Sequence, residues 1–132
     1  MRKGTILIPS GPANDPDRVH LFVVLNDPVG PEGCVLLASF STVTDRYYCE
    51  ETCVVEPAEC EHPFLTRRSF VRYQRLRIEP IDRVSAGLST GAFERMADLP
   101  DDVFERVHQG VFDSPFSAPK FKKFLAAADA AA

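Results

Sequence analysis

Long apolar runs are missing from this sequence. The apolar stretch nearest the start follows Met1-Arg2-Lys3-Gly4 and is broken by Pro9. It is too short for the core of a signal peptide and far too short to span a bilayer. No membrane partner is expected, and a cytoplasmic location is. Cysteine is scarce, and its four copies are expected there as thiols rather than disulfides. The paired two-residue knuckle of a zinc ribbon is also missing. Cys49-x3-Cys53-x6-Cys60-x-His62 offers zinc's preferred donors, but at loose spacing, so neither a bound metal nor another cofactor is expected. A Cys–His nucleophile pair has no sequence sign of an orienting third group. There is no excess of positive charge. The formal net charge of −4 argues against wholesale coating of nucleic acid. Trp is absent beside ten Phe, an imbalance that implies no function. No internal repeat and no dividing linker is visible.

What remains is 132 residues with 45% apolar and 26% charged side chains. That suits one domain over residues 1–132, with a core that needs no disulfide or metal. Thr5–Pro9 is a short strand. Ser10–Arg18 holds two Pro, one Gly, one Asn and two Asp and reads as a loop. His20–Leu25 is almost continuously apolar, which suits a strand buried on both faces. The turn residues of Asn26–Gly33 lead to a third strand, Cys34–Phe40, and the short connection implies antiparallel pairing. Cys53-Val54-Val55 is a further short β piece. His62-Pro63-Phe64 is a turn expected to tuck Phe64 into the core. In Ser69–Ile78, Val71 and Tyr73 lie on one phase, and Leu76 and Ile78 on the other. Such a slip suggests a β-bulge near Gln74–Arg75, of the kind that small barrels need to close. The expected class is mainly β (α+β): a strongly bent antiparallel β-barrel over residues 1–81, then a helical tail over 82–132. In that tail Asp98-Leu99-Pro100-Asp101-Asp102 starts a helix with Val103, Phe104, Val107 and Val111 on one face. Gly110 is read as its end. A second helix over Ser117–Ala132 is expected to turn Phe121, Phe124 and Leu125 inward.

Three stretches now form a pattern: Gly4-Thr5-Ile6-Leu7, His20-Leu21-Phe22-Val23-Val24-Leu25 and Phe40-Ser41-Thr42, with His62-Pro63-Phe64…Ser69-Phe70-Val71…Tyr73 later. The pattern resembles the MazF/PemK/Kid growth-inhibitor superfamily, in particular its PemK-like phage- and plasmid-associated branch, over about residues 4–80. The resemblance implies an SH3-like barrel, often a homodimer. It also implies a toxin whose activity is metal-independent cleavage of single-stranded RNA, held in check by an antitoxin. The family's Ser or Thr at the end of the third strand is matched by Ser41 or Thr42. Its Arg-Pro pair at the start of the second strand is not matched, because His20-Leu21 stands there with Arg18 two residues earlier.

Metal-free RNA cleavage needs a base for the 2′-hydroxyl, donors to the phosphate charge and an acid for the leaving oxygen. Histidine suits proton transfer near neutrality, arginine clamps phosphate, and hydroxyls bond phosphate oxygens. Arg18, His20, Ser41 and Thr42 would form such a site if the second and third strands pair. The alternative is that His20 only ends a strand and the hydroxyls satisfy turn backbone. His62 either meets Arg72 at one end of the barrel or fixes its own turn. Tyr73 either stacks on a base or belongs to the core. Arg67, Arg68, Arg72, Arg75 and Arg77 lie close together without an acid, whereas Asp45–Glu61 holds six acids and one Arg. These two segments either neutralise each other or leave a basic strand for phosphates. On the phase argument Arg72, Arg75 and Arg77 all point outward. Two classes of function stay open: a ribonuclease toxin, and a non-catalytic barrel that binds a protein or RNA.

Overall fold

The computed structural model describes residues 1–10 and 18–132, so most of the expected Ser10–Arg18 loop lies outside the described residues. The second strand explains the architecture. β1 (Thr5–Pro9) and β2 (Val19–Val24) are followed by β3 (Cys34–Thr42). Leu21 and Val23 of β2 enter one core while Phe22 and Val24 enter another. Successive strand side chains face opposite ways, so a run of apolar residues requires cover on both faces of the sheet. That cover comes from helices. The larger core gathers Leu21, Val23, Leu36, Ala38 and Phe40 against Val103, Phe104, Val107, Val111 and Leu125. The smaller gathers Ile6, Ile8, Phe22, Val24, Val35 and Leu37 against Val84.

The strands form one seven-stranded antiparallel sheet. Its remaining members are β4 (Val54–Val55), β5 (Ser69–Val71), β6 (Arg77–Pro80) and β7 (Glu94–Met96). Hydrogen-bonded neighbours run β4-β5-β3-β2-β1-β7, with β6 also on β3. The long β3 is the spine. Its first half pairs with β6 through Leu36↔Ile78, and its far end with β5 through Ser41↔Phe70. The class is therefore mainly β within α+β, as the sequence implied. The sheet does not close into a barrel among the described residues, because β4 and β7 end its order without pairing to each other.

Further expectations need correction. The phase slip is not a bulge in one strand. Tyr73–Arg75 is a 3₁₀ turn that separates β5 from β6, closed by Arg75 N–H donating to the Arg72 carbonyl at 3.0 Å. It achieves the same exchange of faces, and Val71, Tyr73 and Leu76 are all buried. The segment 82–132 is not a purely helical tail. It holds α1 (Ile81–Thr90), β7 on the edge of β1, α2 (Asp101–Asp113) and α3 (Pro119–Ala131). Phe64 is 40% exposed rather than tucked in.

Gly110 does not end α2 but lies within it. A Cβ there would fall within 2 Å of the Tyr73 hydroxyl oxygen, so the bare backbone is what lets Tyr73 reach the helix. That hydroxyl donates to the Val107 carbonyl at 2.8 Å. Leu125 and Ala128 are the buried residues of α3, while Phe121 and Phe124 pack only partly against the larger core. No helix among the described residues is long and apolar enough to cross a membrane.

Candidate functional site: a basic groove around His20

The sheet face carrying Ile8, Phe22 and Leu37 changes character along its strands. Alternation places Ser10, His20, Ser39 and Ser41 on that face. At one end α1 covers apolar residues. Beyond α1 the same face turns polar and stays open. There a hollow of about 470 Å³ is lined by Ser10, Arg18, His20, Ser41, Tyr47, Arg72 and Arg75. It continues past Ser39, Gln74 and Arg77 on one side, and past Thr42 and Phe64 on the other. Among the described residues, no Asp or Glu lines these three stretches. Arg77 marks the border with the covered end, its guanidinium 4.7 Å from the centre of the Phe22 ring.

His20 sits at the centre. Arg72 Nη1 lies 3.2 Å from His20 Nε2, and Ser10 Oγ lies 2.5 Å from Nδ1. A guanidinium can only donate, so Nε2 accepts, the ring proton resides on Nδ1, and Nδ1–H donates to Ser10. Burial is the largest influence holding the His20 pKa down to about 4, followed by the charges of Arg72, Arg18 and Arg77. The ring is therefore neutral at pH 7, with a defined tautomer and a lone pair aimed at a cation. Burial likewise lowers the Arg72 pKa, and the Arg75 charge adds to it.

Arg72 precedes the 3₁₀ turn and Arg75 is its last residue, and a buried carboxylate fixes that turn. Glu50 accepts from Tyr73 N–H at 3.1 Å, from the Thr52 hydroxyl at 2.8 Å and from the Ser114 hydroxyl at 2.8 Å. The Arg72 amide donates to the Ser39 carbonyl at 2.9 Å. Four guanidiniums thus converge with little freedom in the backbone that carries two of them. The buried Ser39 hydroxyl beside them has no hydrogen-bond partner among the described residues.

The four residues proposed for catalysis from the sequence do come together, because β2 and β3 pair as expected. Arg18, His20 and Ser41 share the main hollow, and the exposed Thr42 lies at its extension. Arg72, Arg75 and Arg77 join them. Two residues named with these do not. Tyr73 is fully buried and cannot stack on a base. His62 is buried and does not meet Arg72. Its Nδ1 accepts from Phe64 N–H at 3.1 Å, and its Nε2 lies 2.9 Å from Thr5 Oγ1 and 3.1 Å from the Ala97 carbonyl. Burial lowers its pKa, against a smaller opposing effect of that carbonyl. His62 fastens its turn to β1, the structural alternative. Arg68 pairs with Glu56 at 2.9 Å, so part of the basic run does neutralise the acidic segment.

Cys53 and Cys60 belong to the larger core, where burial raises both thiol pKa values. No group of three or more His, Cys, Asp or Glu among the described residues is placed to hold a metal ion. Ser10 and Tyr47 were not anticipated from the sequence. Ser10 continues the Ile6, Ile8 alternation of β1, a signal that could have found it. Tyr47 lies in irregular chain and has no such signal. No family model matches the chain, and neither a curated protein nor a solved structure does.

Proposed function

We propose that the groove binds the backbone of single-stranded RNA and that His20 cleaves it by acid–base chemistry, the reading implied by the likeness to PemK-like toxins. One observation carries it: a neutral histidine of fixed tautomer sits among four arginines in a groove that no acid among the described residues lines. A phosphate entering this cluster would draw Arg72 toward itself and free the Nε2 lone pair. Its negative charge would also offset the guanidiniums and bring the His20 pKa back toward neutrality. Nε2 would then take the 2′-hydroxyl proton as the 2′-oxygen attacks phosphorus. The P–O5′ bond breaks, and the departing oxygen gains a proton from solvent. Arg72, Arg75, Arg18 and the Ser41 hydroxyl would hold the charge that builds on the phosphoryl oxygens. The Ser39 hydroxyl, which has no hydrogen-bond partner among the described residues, lines the same groove.

One observation favours the non-catalytic reading, an RNA- or protein-binding domain. Arg72 occupies the Nε2 lone pair of the free protein. In either reading an acidic antitoxin segment would compete for the groove, and the protein would act as a homodimer in the cytoplasm. The test is incubation with single-stranded RNA in EDTA, scoring 2′,3′-cyclic phosphate ends. Cleavage by the wild type and none by His20→Gln, with RNA affinity retained, is the expected result. Binding without cleavage would leave the non-catalytic reading. Toxicity on bacterial expression, relieved by His20→Gln, addresses the toxin assignment, and sedimentation addresses the dimer.

A further inference from the structure

We propose that Tyr48 and Phe116 form a stacking subsite for one unpaired nucleobase beside the basic groove, with the Gln74 amide placed to meet the base edge. Large apolar side chains are seldom left open without a reason when they cluster. Tyr48 is 74% exposed and Phe116 41%. Their ring centres are 5.8 Å apart and the planes are tilted by 54°. A small hollow lined by both rings is also lined by Glu50, Phe70, Arg72 and Gln74, and Arg72 and Gln74 line the groove as well. Arg72 thus lines both the groove and the aromatic hollow, so a strand held there by a phosphate meets an adjoining aromatic surface.

The two rings come from distant parts of the chain, and a buried group ties down the segment that carries Phe116. Glu50 lies two residues after Tyr48. It accepts from the hydroxyl of Ser114, which in turn accepts from Phe116 N–H at 3.1 Å. The Phe116 side of the pair is thus held by the same carboxylate that fixes the arginine turn. Stacking on aromatic rings is available to any base, whereas a duplex keeps its bases stacked inside. The subsite therefore selects unpaired strands.

This inference rests on the groove reading, and its test separates the two. Binding is measured by fluorescence anisotropy for a single-stranded RNA decamer, an abasic ribose-phosphate decamer and inorganic polyphosphate. The wild type is expected to bind the RNA about tenfold more tightly than the abasic chain. Tyr48→Ala should remove about that tenfold from RNA binding and leave abasic and polyphosphate binding unchanged. It should also leave the salt dependence unchanged, because stacking releases no counterions. Tyr48→Phe should keep the affinity. Phe116→Ala is the second variant, with circular dichroism as the check on folding. Equal binding of RNA and the abasic chain, or RNA binding indifferent to both alanine variants, overturns the subsite and leaves the groove standing. Failure of the wild type to bind any of the three polyanions overturns both.

Discussion

Replacing Arg72 with Ala should change the acidity of His20 by a readable amount. The ring is held down to about 4 from its ordinary 6.5, and one pH unit corresponds to about 1.36 kcal/mol. Burial is the largest single cause, and the charges of Arg72, Arg18 and Arg77 follow it. Arg72, at 3.2 Å from Nε2, is foremost among them. The His20 midpoint in Arg72→Ala should therefore rise above the wild-type value yet stay below 6.5, because Arg18 and Arg77 remain. A histidine that is harder to protonate when folded stabilises the fold fully above pH 6.5. It loses that contribution as pH falls toward 4, because the unfolded chain binds the proton first. The full gap would be worth about 3 kcal/mol, and screening at this half-exposed site reduces it to about 1–2 kcal/mol. Arg72→Ala should flatten that acid dependence. The assay is a proton–nitrogen NMR titration of the imidazoles. The chain has three histidines, and the signal missing from His20→Gln identifies the one wanted. A wild-type His20 midpoint near 6.5, or one that Arg72→Ala does not move, would refute the geometry on which the site is built.

Other outcomes follow from the same contacts. Gly110→Ala should cost about 1–3 kcal/mol in chemical denaturation, because its methyl group collides with Tyr73, and it should weaken RNA binding by disturbing the arginine turn. His62→Ala should lower stability by about 1–3 kcal/mol through the buried groups it leaves unpaired, while specific cleavage by the folded fraction stays at the wild-type level; a selective loss of cleavage would return His62 to the site. Arg75→Ala should reduce the slope of log affinity against log salt by about one, whereas Arg68→Ala, whose partner is Glu56, should leave that slope unchanged in the same titration.

The first three strands were legible because each pairs an apolar pattern with turn residues at its ends. The convergence of Arg18, His20 and Ser41 followed from that pairing alone. Other parts were hidden for physical reasons. Glu94-Arg95-Met96 has no strand-like alternation, and it is extended because the edge of β1 offers hydrogen bonds. In α1 the inward residues Ile81, Val84 and Leu88 do have helical spacing. Gly87, Ser85 and Ser89 dilute that signal with weak helix formers. Gly110 misled because a glycine that ends a helix and one that admits a neighbouring ring look the same in sequence. The slip after Tyr73 announced an exchange of faces, but a bulge and a 3₁₀ turn produce the same pattern of inward residues. Tyr73 itself fell to the core because its phase matched Val71.

The Tyr73 hydroxyl on the Val107 carbonyl, together with the Glu50–Ser114 bond, makes the floor of the groove and the α2 end one mechanical unit. Coupling of this kind is reciprocal: whatever steadies one side steadies the other by the same free energy. An anion that settles on Arg72 and Arg75 should therefore slow amide exchange in α2 around Gly110 and Val111, on the opposite face of the sheet from the anion. A partner that grips α2 and α3 would, by the same linkage, tighten the groove without touching it. The helices at the back of the sheet thus give this small domain a second handle on its own basic site.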